Sequence, residues 1–213
     1  MGFTEESSYL PQQVSKPICV VSPQFVCPHP FDMLSGKKLL ALSDGNFGVT
    51  DVNGNLIFKV KGKLLSVHGK RLLVDAVGNR ILTFHKKLTS ARKRWQCFRG
   101  DGTDSRDHLF TAKLSNRTQF KTSLDVFLAS NRNQDVADFK VKGNWFEKRC
   151  TVFAGESTTV IAEMSKKLNV QNIAFGVDTY TITVYPNVDY AFIVAIMAIL
   201  NEICEEKSDD DEK

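Results

Sequence analysis

The sequence predicts an all-β fold with one helix, roughly twelve strands closed into a barrel around a buried hydrophobic C-terminal α-helix. Three observations predict it. Short runs alternate apolar and polar residues at period two along most of the chain. Turn-forming pairs separate those runs. The chain then ends on an apolar stretch, residues 190–200 ("YAFIVAIMAIL"), whose only polar side-chain atom is a tyrosine hydroxyl.

The alternation is clearest in "LIFKVKG", where Phe58 and Val60 fall on one face and Lys59, Lys61 and Lys63 on the other. Similar runs follow along the chain: "KKLLALS", "RLLVDAV", "RILTFHK", "RWQCFRG", "HLFTAKL", "LDVFLAS", "RCTVFAG", "TTVIAEM" and "TYTITVY". Asp44-Gly45, Asn53-Gly54 and Gly78-Asn79 suit tight hairpins between them. Two weak repeats run through the pattern. "DVNGNLIF" at Asp51 is echoed by "DAVGNRIL" at Asp75, and "FKVKG" occurs at Phe58 and again at Phe139, as two halves of a duplicated pattern would read.

Pro186, Asn187 and Asp189 precede the final apolar run as a helix-start signal, and the spacing predicts a helix over 189–206. A helix apolar on every side is either a membrane span or fully buried. A span needs about twenty apolar residues, and Asn201 and Glu202 arrive too early for that. The helix therefore reads as the plug around which the sheet closes, with no transmembrane span.

At 213 residues, with 42% hydrophobic and 24% charged, the chain has the composition of an ordinary globular domain and not of a disordered one. No linker divides it. The expected organisation is a mobile segment over 1–16, one barrel domain over 17–206 and a disordered acidic tail over 207–213. The five cysteines are odd in number and lack C-x-x-C spacing, which predicts buried thiols in a reducing compartment. "MGFTEESSYL" carries no apolar signal region, so the expected location is cytoplasmic, peripheral to a membrane at most.

Charge is unevenly spread. From Glu205 onward there are six acids and two lysines, leaving 26 basic against 18 acidic residues in the body. Residues 59–99 hold twelve Lys or Arg and a single acid, Asp75. Such clustering predicts an anionic partner. The densest part, "HKKLTSARKRW", nominates Lys86, Lys87, Arg92, Lys93 and Arg94 as an anion site for phosphoinositide headgroups, with arginine gripping phosphate bidentately and lysine adding point charge. The alternative partner for a basic face is nucleic acid or an acidic protein, although Trp95 and Phe98 are the main aromatics placed to stack bases.

Catalytic signals are scarce. His29, His68, His85 and His108 fall in no zinc-ligand or triad spacing, and no glycine-rich phosphate loop occurs. "GDGTDSRDH" lacks the order of a calcium loop and reads as a polar hairpin connection. Cys150 shares parity with Val152 and reads as a buried structural thiol. The expectation is a binding module that is not an enzyme and carries no cofactor or metal.

"DFKVKGNWFEKRCTVFAGESTTVIAEMSKK" together with "VDYAFIVAIMAILNEI" resembles the plant LURP-one-related family, grouped with phospholipid scramblases and the C-terminal domain of tubby proteins. The resemblance spans about Ile18 to Glu206. It implies a tubby-like barrel of twelve strands around a hydrophobic helix, a link to plant defence and no assigned catalytic residues. Scramblases carry an acid-rich calcium segment before the last helix, whereas "VQNIAFGVDTY" here offers only Asp178. Tubby domains hold phosphoinositides on surface lysines and arginines, the chemistry nominated above for the basic stretch.

Overall fold

The computed structural model describes residues 14–36, 47–62, 70–87, 93–117, 122–144, 149–165 and 180–211. After a short 3-10 turn (Pro23–Phe25) come β1 (Val26–Cys27), β2 (Phe31–Gly36), β3 (Phe47–Asp51), β4 (Leu56–Gly62), β5 (Arg71–Asp75) and β6 (Arg80–Lys86). They are followed by β7 (Arg94–Arg99), β8 (His108–Arg117), β9 (Thr122–Leu128), β10 (Phe139–Asn144), β11 (Arg149–Ala154), β12 (Val160–Ser165), β13 (Tyr180–Val184), β14 (Val188–Asp189) and the helix α1 (Tyr190–Asp211). Strands β2 to β13 form a closed barrel in which each strand is antiparallel to both neighbours, and β13 pairs with β2 to complete the ring.

Period-two patterning does what it predicts. In β4 Phe58 and Val60 are buried while Lys59 is half-buried and Lys61 exposed. In β10 Phe139 and Val141 are buried between Lys140 and Lys142. The two "FKVKG" copies are these strands, and six steps separate them around the twelve-strand ring, on opposite walls. They grip the start of the helix from both sides. Phe58 meets Tyr190 at 5.8 Å and Phe139 meets Phe192 at 4.9 Å between ring centroids.

The other repeat is a repeated hairpin. Asp51 accepts hydrogen bonds from the backbone N–H of Asn53 and Asn55 and from the Asn55 side chain. Asp75 accepts the same three from Val77 and Asn79. The glycine between them takes positive φ, 88° at Gly54 and 98° at Gly78, a conformation that a β-carbon disfavours. The Asn55 side chain and backbone donors hold the Asp51 carboxyl below its usual range.

β2 and β3 are absent from the list of alternating runs. "FDMLSG" buries Leu34 and Ser35 as well as Met33, and "FGVTD" has a glycine at its second position, so neither shows clean alternation. "KKLLALS" and Asp44-Gly45 lie outside the described residues, as do 1–13 of the expected N-terminal segment. Helical backbone continues to Asp211, five residues beyond the predicted end at Glu206, because nothing in "EEKSDDD" breaks a helix. Helical geometry therefore reaches into the stretch expected to be an unstructured tail. Cys97 and Cys150 are buried, Cys19 is exposed and Cys27 half-buried. Cys150 packs its sulfur 3.7 Å from that of Met197, facing inward as its parity requires.

Inside the ring, residues 191–200 are buried on every side of the helix, the most exposed being Ala198 at 4%. Asp189 starts it. One carboxylate oxygen caps the helix by accepting from the Phe192 N–H at 3.1 Å, and the other accepts from the N–H groups of Val20, Val21 and Ser22 at 3.2, 2.6 and 3.1 Å. The residue thus ties the N-terminal segment to the helix start. Burial pushes its carboxyl up, against the pull of these four donors.

Two outcomes follow from this packing. Ala195→Asp places an unpaired charge where exposure is 0%, and soluble expression with a cooperative thermal transition should be lost. Asp189→Ala strands four backbone donors and should cost about 3 kcal/mol or more in urea unfolding. A loss below about 1 kcal/mol would mean that these donors find other partners.

Candidate basic end of the barrel

Antiparallel order sends alternate connections to opposite ends of the barrel. The helix enters at the end where β2, β4, β6, β8, β10 and β12 begin, since Tyr190 stacks near Phe31 and Phe58. It leaves at the other end, where Met197 reaches Cys150 near the start of β11 and the Glu202 charge acts on Cys97.

The two ends differ in charge. The entry end carries Asp51, Asp75, Asp101, Asp107, Asp138 and Glu156 alongside Arg80, Arg99, Arg106 and Arg132, with several acids tied into turns or ion pairs such as Arg80 with Asp101. At the exit end, among the described residues, no acid occupies the last two positions of any barrel strand, while Lys61, Arg71, Lys86, Arg94, Arg117 and Arg149 do. Strand parity cannot produce this, because it sorts residues between inside and outside. The asymmetry lies along the barrel axis and appears only once alternate connections are assigned to ends.

The nominated residues sit at this exit end, on the β6–β7 connection. Lys86 closes β6 and pairs in register with Trp95, whose side chain is 0% exposed, so Lys86 occupies an inward register position at the barrel mouth. Lys87 is exposed, and its N–H donates to the Arg94 carbonyl at 2.8 Å. Lys93 is half-buried, and its carbonyl accepts from Leu114. Arg94 opens β7 opposite Lys113, with its Nε buried and without a hydrogen-bond partner among the described residues. Arg92 lies outside the described residues. The structure therefore gathers four of the five at one rim, but only Lys87 is fully exposed. The aromatics placed to stack bases are not available: Trp95 is 0% and Phe98 4% exposed.

Sequence reasoning missed one cluster. His85 stacks on Phe98 at 5.3 Å and His108 lies on the same ring at 5.4 Å, with the His108 Nε2 3.0 Å from the Thr111 hydroxyl. The two histidines are 23 positions apart in sequence, and only the β6–β7–β8 register unites them. Burial holds the His108 imidazole below its usual range. No group of three His, Cys, Asp or Glu among the described residues is placed to hold a metal ion. Cys97 is kept a neutral thiol by burial, reinforced by Glu202, and so is no nucleophile at neutral pH. The "VQNIAFGVDTY" stretch lies outside the described residues apart from Tyr180.

The model of the family described as LURP-one-related matches residues 32–201. The chain belongs to the LURP-one-related family. It is 48% identical over 187 residues to Protein LURP-one-related 15 of Arabidopsis thaliana, covering 88% of this chain and 86% of that protein. It is 42% identical to Protein LURP1 of the same plant, covering 89% of this chain and 92% of that protein. An X-ray structure of an Arabidopsis thaliana protein superposes with a TM-score of 0.69 at 43% identity, covering 87% of this chain and 98% of that one. LURP-one-related proteins belong to the tubby and scramblase-like superfamily and are not known enzymes. No helix among the described residues is long and apolar enough to cross a membrane.

Proposed function

We propose that this LURP-one-related protein is a non-enzymatic binding module whose basic end engages anionic membrane lipid. The observation that supports this reading is the charge asymmetry along the barrel axis. A surface that gathers cations at one end, with no acid on the described strand ends there, suits a planar anionic target.

Magnitudes set what the site requires. Each Lys or Arg near an anionic surface contributes about 1 kcal/mol. Five such residues at full strength would supply about 5 kcal/mol, a sub-millimolar affinity, and Lys86 at its inward position and Arg94 with its buried Nε supply less. Micromolar binding needs about 8 kcal/mol. Micromolar affinity therefore requires rim cations outside the β6–β7 connection, such as the exposed Lys61 and the half-buried Arg71, to add to it. Burial of Trp95 and Phe98 counts against single-stranded nucleic acid as the partner, because base stacking needs exposed rings.

Charge reversal tests the reading. Lys86 and Arg94 have packed neighbours, so Lys87→Glu, Arg92→Glu and Lys93→Glu are the informative set. In sedimentation with phosphatidylserine vesicles at low salt, the triple variant should lose most binding while keeping the wild-type melting temperature. Wild-type binding should fall steeply as salt rises, since surface charges are screened within about 8 Å at physiological ionic strength. A wild-type protein that ignores these vesicles overturns the reading. Binding to an oligonucleotide in their place supports the alternative, an interaction protein whose basic face meets nucleic acid.

A further inference from the structure

Three strands around the ring from β7, the exit end carries a feature that the β6–β7 connection does not explain. An open groove of about 360 Å³ lies across β10, β11 and β12, lined by Lys142, Asn144, Arg149, Thr151, Glu163 and Ser165. All six belong to the outward parity, because Val141, Val152 and Ala162 in the same strands are buried. Register places Lys142 beside Thr151 and Thr151 beside Glu163, with Asn144 opposite Arg149.

The groove is held in shape at two points. A β-carbon at Gly143 would come 2.3 Å from the Arg149 carbonyl oxygen and 2.5 Å from the Cys150 Cα, so only glycine lets β10 and β11 approach this closely beneath it. On the far side, the Tyr185 hydroxyl donates to Glu163 at 2.9 Å and holds the carboxylate in place. Burial first, then Glu163, pushes the Tyr185 phenol up to about 12, so it remains a donor throughout the neutral range.

The lining chemistry is mixed in a specific way. Two exposed cations lie on a diagonal of the groove, Lys142 on β10, its Nζ 5.5 Å from the Phe153 ring centroid, and Arg149 on the middle strand β11. One carboxylate, Glu163 on β12, faces Lys142 across the Thr151 hydroxyl and lies one strand over from Arg149. A bare anion gains from the cations but is repelled by Glu163. A neutral polyol uses the carboxylate and hydroxyls but leaves the cations idle. A molecule with one phosphate and several hydroxyls satisfies both sides.

We propose that this groove binds a phosphorylated polyol, its phosphate between Lys142 and Arg149 and its hydroxyls donating to Glu163. Arginine and lysine take the phosphate as a bidentate and a point-charge partner. The proposal goes beyond the membrane reading, because it specifies a discrete ligand on a wall that the β6–β7 connection does not form. The two fail separately: the reversal set at 87, 92 and 93 leaves this groove intact.

The chemistry is shared by soluble sugar phosphates and by phosphorylated inositol lipid headgroups, so the test uses both. The full chain is titrated calorimetrically with glucose 6-phosphate, glucose and inorganic phosphate, and sedimented with phosphatidylcholine vesicles with and without phosphatidylinositol monophosphate. Glucose 6-phosphate should bind about tenfold or more tighter than inorganic phosphate, and glucose should not bind measurably. Lys142→Glu with Arg149→Glu should abolish binding of the phosphorylated probe. Glu163→Gln, nearly isosteric, should weaken glucose 6-phosphate while leaving inorganic phosphate equal or tighter. Binding of the soluble probe assigns a metabolite; binding of the phosphorylated vesicles alone, lost in the Lys142 and Arg149 variant, assigns the lipid headgroup. If neither probe binds, if phosphate binds as well as its sugar ester, or if Glu163→Gln strengthens both alike, the proposal is wrong.

Discussion

Filling the barrel is the constraint on which the rest of this structure depends. A ring of about eight strands has an interior that its own side chains fill, but twelve strands enclose more space than inward-facing residues can occupy. The apolar helix supplies the missing volume. Phe192, Ile193, Val194, Ile196, Met197, Ile199 and Leu200 are all 0% or 1% exposed. At about 1.5–3 kcal/mol for each buried side chain of this size, their gross burial of about 10–20 kcal/mol is at least as large as the net stability of about 5–15 kcal/mol left to a domain once chain entropy is offset. Strands and helix are therefore one cooperative object. Asp189 extends it to the N-terminal segment, because the carboxylate that caps the helix also holds Val20, Val21 and Ser22.

A core built this way leaves function to the periphery. With the barrel interior occupied, binding chemistry is left to the rims and the outer wall. On the outer wall, parity exposes whatever polar residues the strands carry, and at the rims the connections decide. Among the described residues the rims differ in character: acids and arginines mix where the helix enters, while the strand ends where it leaves carry cations and no acid. The same end also issues the acidic C-terminal sequence, since the helix runs on through Asp211. Ionic strength is therefore a strong variable for any charged ligand at this end.

Much of the fold was legible in the sequence because its physics is local. Alternation in "LIFKVKG" or "RCTVFAG" reports burial directly, and an eleven-residue apolar run admits few structures other than a buried helix. β2 and β3 were illegible for the opposite reason: Ser35 and Gly48 are buried among neighbours that only the closed ring brings near. The candidate site was partly legible. "HKKLTSARKRW" announced a basic connection, but the inward register of Lys86 and the buried Nε of Arg94 depend on Trp95 and Lys113 across the sheet. The His85–Phe98–His108 stack and the groove above Gly143 rest entirely on register between strands, which no single run of residues encodes.

The central claim is that helix and barrel are one unit, and native-state hydrogen exchange measures it most directly. Amides over residues 193–200 should exchange only through global unfolding, with a protection free energy equal to that of the best-protected barrel strands and falling in parallel with added denaturant. Exchange of these amides through a separate opening, at markedly lower free energy while the strands stay protected, would contradict it. The helix would then be a docked element that leaves the barrel standing, and not the core on which the barrel closes.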